Sequence, residues 1–119
     1  MPELIEIRTY QLKCGTAAQF HALLHTQSLP FLRAAGTDVV AAQASLHDPN
    51  AYVLIRAYAS LAERLKTQAE FYGSAAWLNG PRAAVMDCID SYHTVVLAAE
   101  PSLIAGLRRP VHAHSSPQR

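Results

Sequence analysis

Glu6, Arg8 and Tyr10 occupy every second position of the opening stretch Leu4-Ile5-Glu6-Ile7-Arg8-Thr9-Tyr10-Gln11-Leu12. In an extended chain that spacing puts an acid, a guanidinium and a phenol on one face, and Ile5, Ile7 and Thr9 on the other. Such a face could do chemistry. A guanidinium can hold a carboxylate or enolate bidentately, and a phenol can donate to a developing oxyanion. The same three residues could instead pair with one another and with a partner chain, fixing a dimer seam, because structural ion networks build identical clusters. Tyr58 and Tyr92, from later strands, complete the substrate-binding candidates Glu6, Arg8, Tyr10, Tyr58 and Tyr92. No residue stands out as catalytic.

Other reactive groups argue more weakly. His21 and His25 lie four apart, a spacing that lets two imidazoles share a metal, but no third ligand accompanies them and no metal is expected. His93 would be the best general base if it faced a cavity. Val95 and Leu97 share its side and favour the core, so His93 is expected under a helix or at its border. Arg64, one turn into a helix, could fold back over the sheet edge near Tyr58 or be a solvated helix residue. Phe71, Tyr72 and Trp77 cluster as an aromatic lid or as ordinary core. The chain has no phosphate-binding glycine loop, nucleophile elbow or zinc-finger spacing, and no cofactor is expected.

These residues need elements to position them. The first strand, residues 4–12, ends at Lys13-Cys14-Gly15. Thr16-Ala17-Ala18-Gln19 has capping-box spacing and opens a helix that Pro30 should kink or divide near Ser28-Leu29, with Gly36 as its C-terminal cap. Strands at 38–46 and 51–58 flank the turn His47-Asp48-Pro49-Asn50. A second capping box, Ser60-Leu61-Ala62-Glu63, starts a helix to about Tyr72. A short turn carrying Trp77 follows, then a helix restarted by Gly80-Pro81, then a strand over 91–98 rich in β-branched residues. The order β-α-β-β-α-β predicts the α+β, ferredoxin-like split βαβ unit, an antiparallel sheet with helices on one face. The domain spans residues 1–99, and 100–119 reads as a C-terminal tail, largely disordered.

Composition bounds the rest. The 119 residues suit one domain, half are hydrophobic, 16% are charged, and the formal net charge is +1. Nothing favours nucleic acid or a membrane as a partner. Cys14 and Cys88 match no redox or metal spacing, which fits free thiols and a cytoplasmic location. With helices on one face only, the face carrying Leu4, Tyr52, Leu54, Tyr58, Tyr92 and Val96 is too apolar for water. A homodimer packed through that open sheet face is therefore expected, enclosing a cavity with Glu6, Arg8 and Tyr10.

Several stretches in this order resemble the NIPSNAP family. They are Glu6-Ile7-Arg8-Thr9-Tyr10-Gln11-Leu12-Lys13-x-Gly15, Phe20, Tyr58-x-Ser60-Leu61-x-Glu63-Arg64 and Trp77, within a resemblance covering residues 4–98. Gly80-Pro81-Arg82 through Tyr92-His93-Thr94-Val95-Val96-Leu97 is similar to small bacterial relatives. Cys14 departs from the family's usual proline, and Leu54 and Arg56 stand where the family typically has His and Trp. The resemblance implies a dimeric α/β barrel and leaves the activity open, since one fold hosts many functions. The expectation is a small apolar molecule bound in the barrel. The alternatives are a cofactor-independent oxygenase or isomerase of aromatic or polyketide-like compounds, and a dimeric interaction module without ligand.

Overall fold

The computed structural model describes residues 2–108. Strand β1 (Leu4–Leu12) leads into α1 (Ala17–Leu23), a π-helical turn (Leu24–Ser28) and α2 (Leu29–Ala34). Then come β2 (Asp38–Ala44), β3 (Ala51–Tyr58), α3 (Leu61–Tyr72), α4 (Ala75–Leu78), α5 (Arg82–Cys88), β4 (Ile89–Ala98) and α6 (Pro101–Arg108). The strands form one antiparallel sheet in the order β2-β3-β1-β4. This is the ferredoxin-like α+β arrangement, with β1 and β3 at its centre.

Local chemistry explains most boundaries. Ser60 accepts from the Glu63 amide at 3.1 Å and caps α3, satisfying a donor that the first turn leaves open. Thr16 does not cap α1. Its hydroxyl donates to the carbonyls of Lys13 and Cys88 at 2.7 and 3.3 Å instead, tying the start of α1 to the end of α5. The first helix is divided near Pro30, as expected, by a π-helical turn ahead of α2. The chain widens into a π turn upstream, where the Leu29 amide bonds the Leu24 carbonyl, and Pro30 then occupies the first turn of α2, where its missing N–H is harmless. Gly15 and Gly36 take positive φ of 82° and 93°, closing the turns after β1 and α2 that a Cβ would strain.

Two clusters lie on opposite sides of the sheet. The larger joins Tyr10, Tyr52 and Leu54 to Phe20, Leu29 and Trp77 from the helices. The smaller holds Ile5, Ile55 and Ala57 against Ile104 of α6.

This reverses the expected facing of the sheet. Glu6, Arg8, Tyr10, Tyr52, Leu54, Tyr58 and Tyr92 lie under the chain's own helices, not on the open face. The open side carries Ile7, Thr9, Val53, His93, Val95 and Leu97, with Val95 and Leu97 exposed. His93 therefore lies exposed on the side away from α1–α5, not beneath a helix. The apolar look of Ile5, Ile7, Val53 and Ile55 made that side resemble the core. The true core face is more polar because it houses a buried ion network.

The C-terminal stretch also differs from expectation. Residues 101–108 form α6, whose Ile104 is 2% exposed and whose Arg108 donates to Asp38 Oδ2 at 2.7 Å. Its apolar positions find a partner in the sheet's second face, which a reading of the tail alone could not supply. The remainder of the expected tail, 109–119, lies outside the described residues. Among the described residues no helix is long and apolar enough to cross a membrane.

Candidate functional site

The site grows from the register of the two central strands. Glu6 on β1 stands opposite Arg56 on β3, and Arg8 stands opposite Leu54 and Thr94. Cross-strand partners share a face, so Glu6 and Arg56 project together toward the helices. Both side chains are wholly buried. Arg56 Nε donates to Glu6 Oε1 at 2.8 Å, and its Nη2 lies against the same oxygen.

Helix α3 supplies the other partners from one stripe. Arg64, Gln68 and Tyr72 follow at four-residue intervals, so one helical face presents all three. Arg64 Nε and Nη2 donate to Glu6 Oε2 at 3.0 and 2.8 Å. Gln68 Nε2 reaches the same oxygen at 2.8 Å and the Tyr58 hydroxyl at 3.1 Å. The Tyr72 hydroxyl accepts from Arg56 Nη1 at 2.8 Å and from Arg8 Nη1 at 3.5 Å. Arg8 Nε donates to Thr94 Oγ1 at 3.1 Å, and its guanidinium lies 4.8 Å from the Tyr92 ring centroid.

Electrostatics follow from this geometry. Burial alone would raise the Glu6 pKa. The Arg56 charge, hydrogen bonds from Gln68 and Arg64, and the Arg8 charge outweigh it and hold the carboxyl below its ordinary 4.5. Burial would lower the pKa of Arg56, but Tyr72, Tyr58 and Glu6 reverse that and keep it protonated. Tyr10 is pushed up to about 12 by burial and by Tyr72, against the lowering effect of Arg8 and Arg56. Its phenol is therefore a neutral hydrogen-bond donor at physiological pH.

Beside the network a cleft of about 540 Å³ opens between the sheet and α3–α5. Arg8 and Tyr10 line it from the sheet, Tyr72 and Trp77 from the helices, and Tyr92 from the edge strand β4; Met86 and the exposed Arg82 belong to its rim. Tyr10 and Tyr92 lie 6.1 Å apart by ring centroid. The lining is about evenly polar and apolar: Arg8, Gln68, Arg82 and the tyrosine hydroxyls face it together with Trp77, Val85 and Ile89.

The five candidates separate here. Arg8, Tyr10 and Tyr92 meet in the cleft, whereas Glu6 and Tyr58 lie in the buried network beside it. Arg8 and Tyr10 line a cleft within a single chain, not the open sheet face on which they were expected. Arg56, Gln68 and Tyr72 were not among the candidates. The register of Arg56 with Glu6 and the four-residue spacing from Arg64 were signals that could have found them. Phe71 and Trp77 are buried in the core, and Tyr72 is the one of the three aromatics bonded to the network. On the far side of the core, His21 Nδ1 bonds the Tyr52 hydroxyl at 2.6 Å, and His25 Nε2 lies 3.2 Å from the Ala42 carbonyl.

Fold and site together define a ferredoxin-like α+β protein with a cationic, aromatic-walled cleft between its sheet and helices. The NIPSNAP family profile matches residues 5–102. The chain belongs to the NIPSNAP family. Among solved structures it is similar to a NIPSNAP family protein of unknown function from Agrobacterium tumefaciens strain C58. That pair shares 23% identity and a TM-score of 0.76 over 82% of this chain and 88% of the other. An uncharacterised NIPSNAP domain protein from Burkholderia xenovorans aligns at 16% identity and a TM-score of 0.74, over 82% and 95%. A candidate antibiotic biosynthesis monooxygenase from Bordetella bronchiseptica aligns at 22% identity and a TM-score of 0.65, over 84% and 99%. At these identities the likeness concerns the fold alone. No curated protein matches the chain.

Proposed function

We propose that this NIPSNAP protein binds a small, largely apolar molecule in the cleft between its sheet and helices. One observation carries the reading: about 540 Å³ of open space bounded by Tyr10, Tyr72, Trp77 and Tyr92 with Arg8 among them. What marks this cleft is the convergence of a guanidinium and phenols with aromatic walls, as in small-molecule sites. Trp77 is the single tryptophan of the chain, so its emission reports on the cleft directly. Titration with fractionated metabolite pools should raise the melting temperature and change Trp77 emission saturably. Tyr92→Ala, which removes an exposed wall, should weaken both responses. A pool in which no compound moves either signal would overturn the proposal.

A second reading, a cofactor-independent oxygenase or isomerase of aromatic or polyketide-like compounds, draws on Tyr10, a protonated phenol beside Arg8 in the cleft. Donors of that kind stabilise enolates. Ligands found by the titration can be incubated with the protein while oxygen uptake and product are followed. Ligands recovered unchanged from wild type and Arg8→Ala alike would leave the protein a binder.

The homodimer through the open sheet face belongs to the same proposal, as does a cytoplasmic location. Exposed Val95 and Leu97 support the first, and two unpaired cysteines support the second.

A further inference from the structure

Resting on the binding reading above, we propose that the cleft selects organic anions, with the ligand's carboxylate or enolate oxygen seated on Arg8, Tyr10 and Tyr72 and its ring body against Tyr92 and Trp77. The argument is one of charge and of unused donors.

Arg8, Arg56 and Arg64 all lie within ion-pair range of Glu6, and among the described residues no other carboxylate pairs with them. Three positive charges against one negative leave two in excess. The excess is not evenly shared. The two Glu6 oxygens are taken at 3.0 Å or less by Arg56, Arg64 and Gln68, while Arg8 Nη2 stands off at 3.6 Å. The Arg8 side chain is only 13% exposed, so it is largely removed from water without a close counter-ion. A guanidinium has five N–H groups. Of those on Arg8, Nε is well bonded to Thr94, and the contacts of Nη1 and Nη2 are at 3.5 and 3.6 Å. A largely desolvated charge held only at 3.6 Å from Glu6 and against the Tyr92 ring is weakly compensated, and Arg8 lines the cleft.

Two hydroxyls point to the same ligand. The Tyr72 oxygen accepts from two guanidiniums, so its own proton is left to donate elsewhere, and among the described residues it has no acceptor. The Tyr10 hydroxyl lies beside Arg8, which can only donate to it; its own proton has no acceptor among the described residues, and Tyr10 lines the cleft. Donors without acceptors beside a weakly compensated guanidinium match an oxygen anion. They match a neutral apolar ligand poorly, because it would leave all three unsatisfied. The exposed Arg82 on the rim adds a second positive charge at the entrance.

The test is a matched series: benzoate, naphthoate and anthracene carboxylate, each beside its primary amide, titrated against Trp77 emission and by calorimetry. Each pair shares shape and differs in charge. In wild type the acid that fits should bind roughly tenfold to a hundredfold more tightly than its amide, the range expected for hydrogen bonds to a charged group. Arg8→Gln should bring the acid down to the affinity of the amide and leave amide binding nearly unchanged. Tyr10→Phe, which removes one oxygen and no charge, should shrink the preference severalfold and keeps the test open if Arg8→Gln does not fold. Acid and amide binding equally to wild type would overturn the anion assignment while leaving the cleft a binding site. A preference that survives Arg8→Gln and Tyr10→Phe but vanishes in Arg82→Gln would overturn it too, moving the contact to the rim. If neither acids nor amides of any size bind, the binding reading falls with it.

Discussion

Glu6 is the residue on which the network depends. It is fully buried, and its carboxylate is the shared acceptor for Arg56, Arg64 and Gln68. Glu6→Gln keeps the shape but strands buried guanidiniums without a counter-ion, and should cost about 3–5 kcal/mol in urea unfolding, as removal of one partner of a buried pair does. Because folding lowers the Glu6 pKa below 4.5, its contribution to stability is fully present above that value. It is lost as pH falls through the still lower folded pKa. Wild type should therefore lose stability in that acidic window, whereas Glu6→Gln should lack this component of the slope. Unfolding curves from pH 6 down to pH 3 measure the difference. An equal slope in the two proteins would mean that Glu6 does not carry the charge assigned to it.

At the scale of elements, helix α3 connects fold and site. Its Ser60 cap sets where the helix begins, and from there the four-residue stripe Arg64, Gln68, Tyr72 falls over Glu6 and Arg8. Ser60→Ala should cost ~1 kcal/mol of stability by thermal or urea denaturation. The C-terminal cap of α2 should be similarly sensitive. Gly36→Ala meets open space but keeps a φ of 93°, so backbone strain alone should cost about 1 kcal/mol. A neutral Gly36→Ala would show that the turn relaxes to negative φ. Helix α6 is held mainly by Ile104 and the Arg108–Asp38 pair. Ile104→Ala should lower stability by about 2–4 kcal/mol in urea denaturation.

For the whole molecule, the second face of the sheet matters most. Ile5 and Ile55 are covered on that side, while Val95 and Leu97 are 52% and 44% exposed. Apolar residues side by side on an open sheet favour association, and the proposed homodimer would bury them. Light scattering at micromolar concentration should give twice the chain mass, and Val95→Lys should shift it toward the monomer. A monomeric mass for wild type would refute the dimer. The cleft lies on the opposite side of the sheet from this face, so Val95→Lys should leave ligand binding largely intact. That separates the present geometry from a barrel cavity shared between two subunits, in which the two properties would fail together.

Much of this protein was determined by sequence alone. Period-two alternation defined which side chains of β1 and β3 travel together, capping residues marked α3, and turn chemistry at His47-Asp48-Pro49-Asn50 and Gly80-Pro81 bounded the strands and helices. Those are local rules, carried by neighbours a few residues apart. The family motifs around Glu6-Ile7-Arg8-Thr9-Tyr10 and Tyr58-x-Ser60-Leu61-x-Glu63-Arg64 pointed to the right family for the same reason. Tertiary structure alone decided which face of the sheet the helices cover. Alternation separates two faces without saying which is inside, and the usual guide, hydrophobicity, favoured the side with Ile5, Ile7, Val53 and Ile55. The polar side is nevertheless internal because Glu6, Arg56, Arg64 and Gln68 satisfy one another there. That mutual satisfaction joins residues up to 62 positions apart. It exists only once strand register and helix placement bring them together.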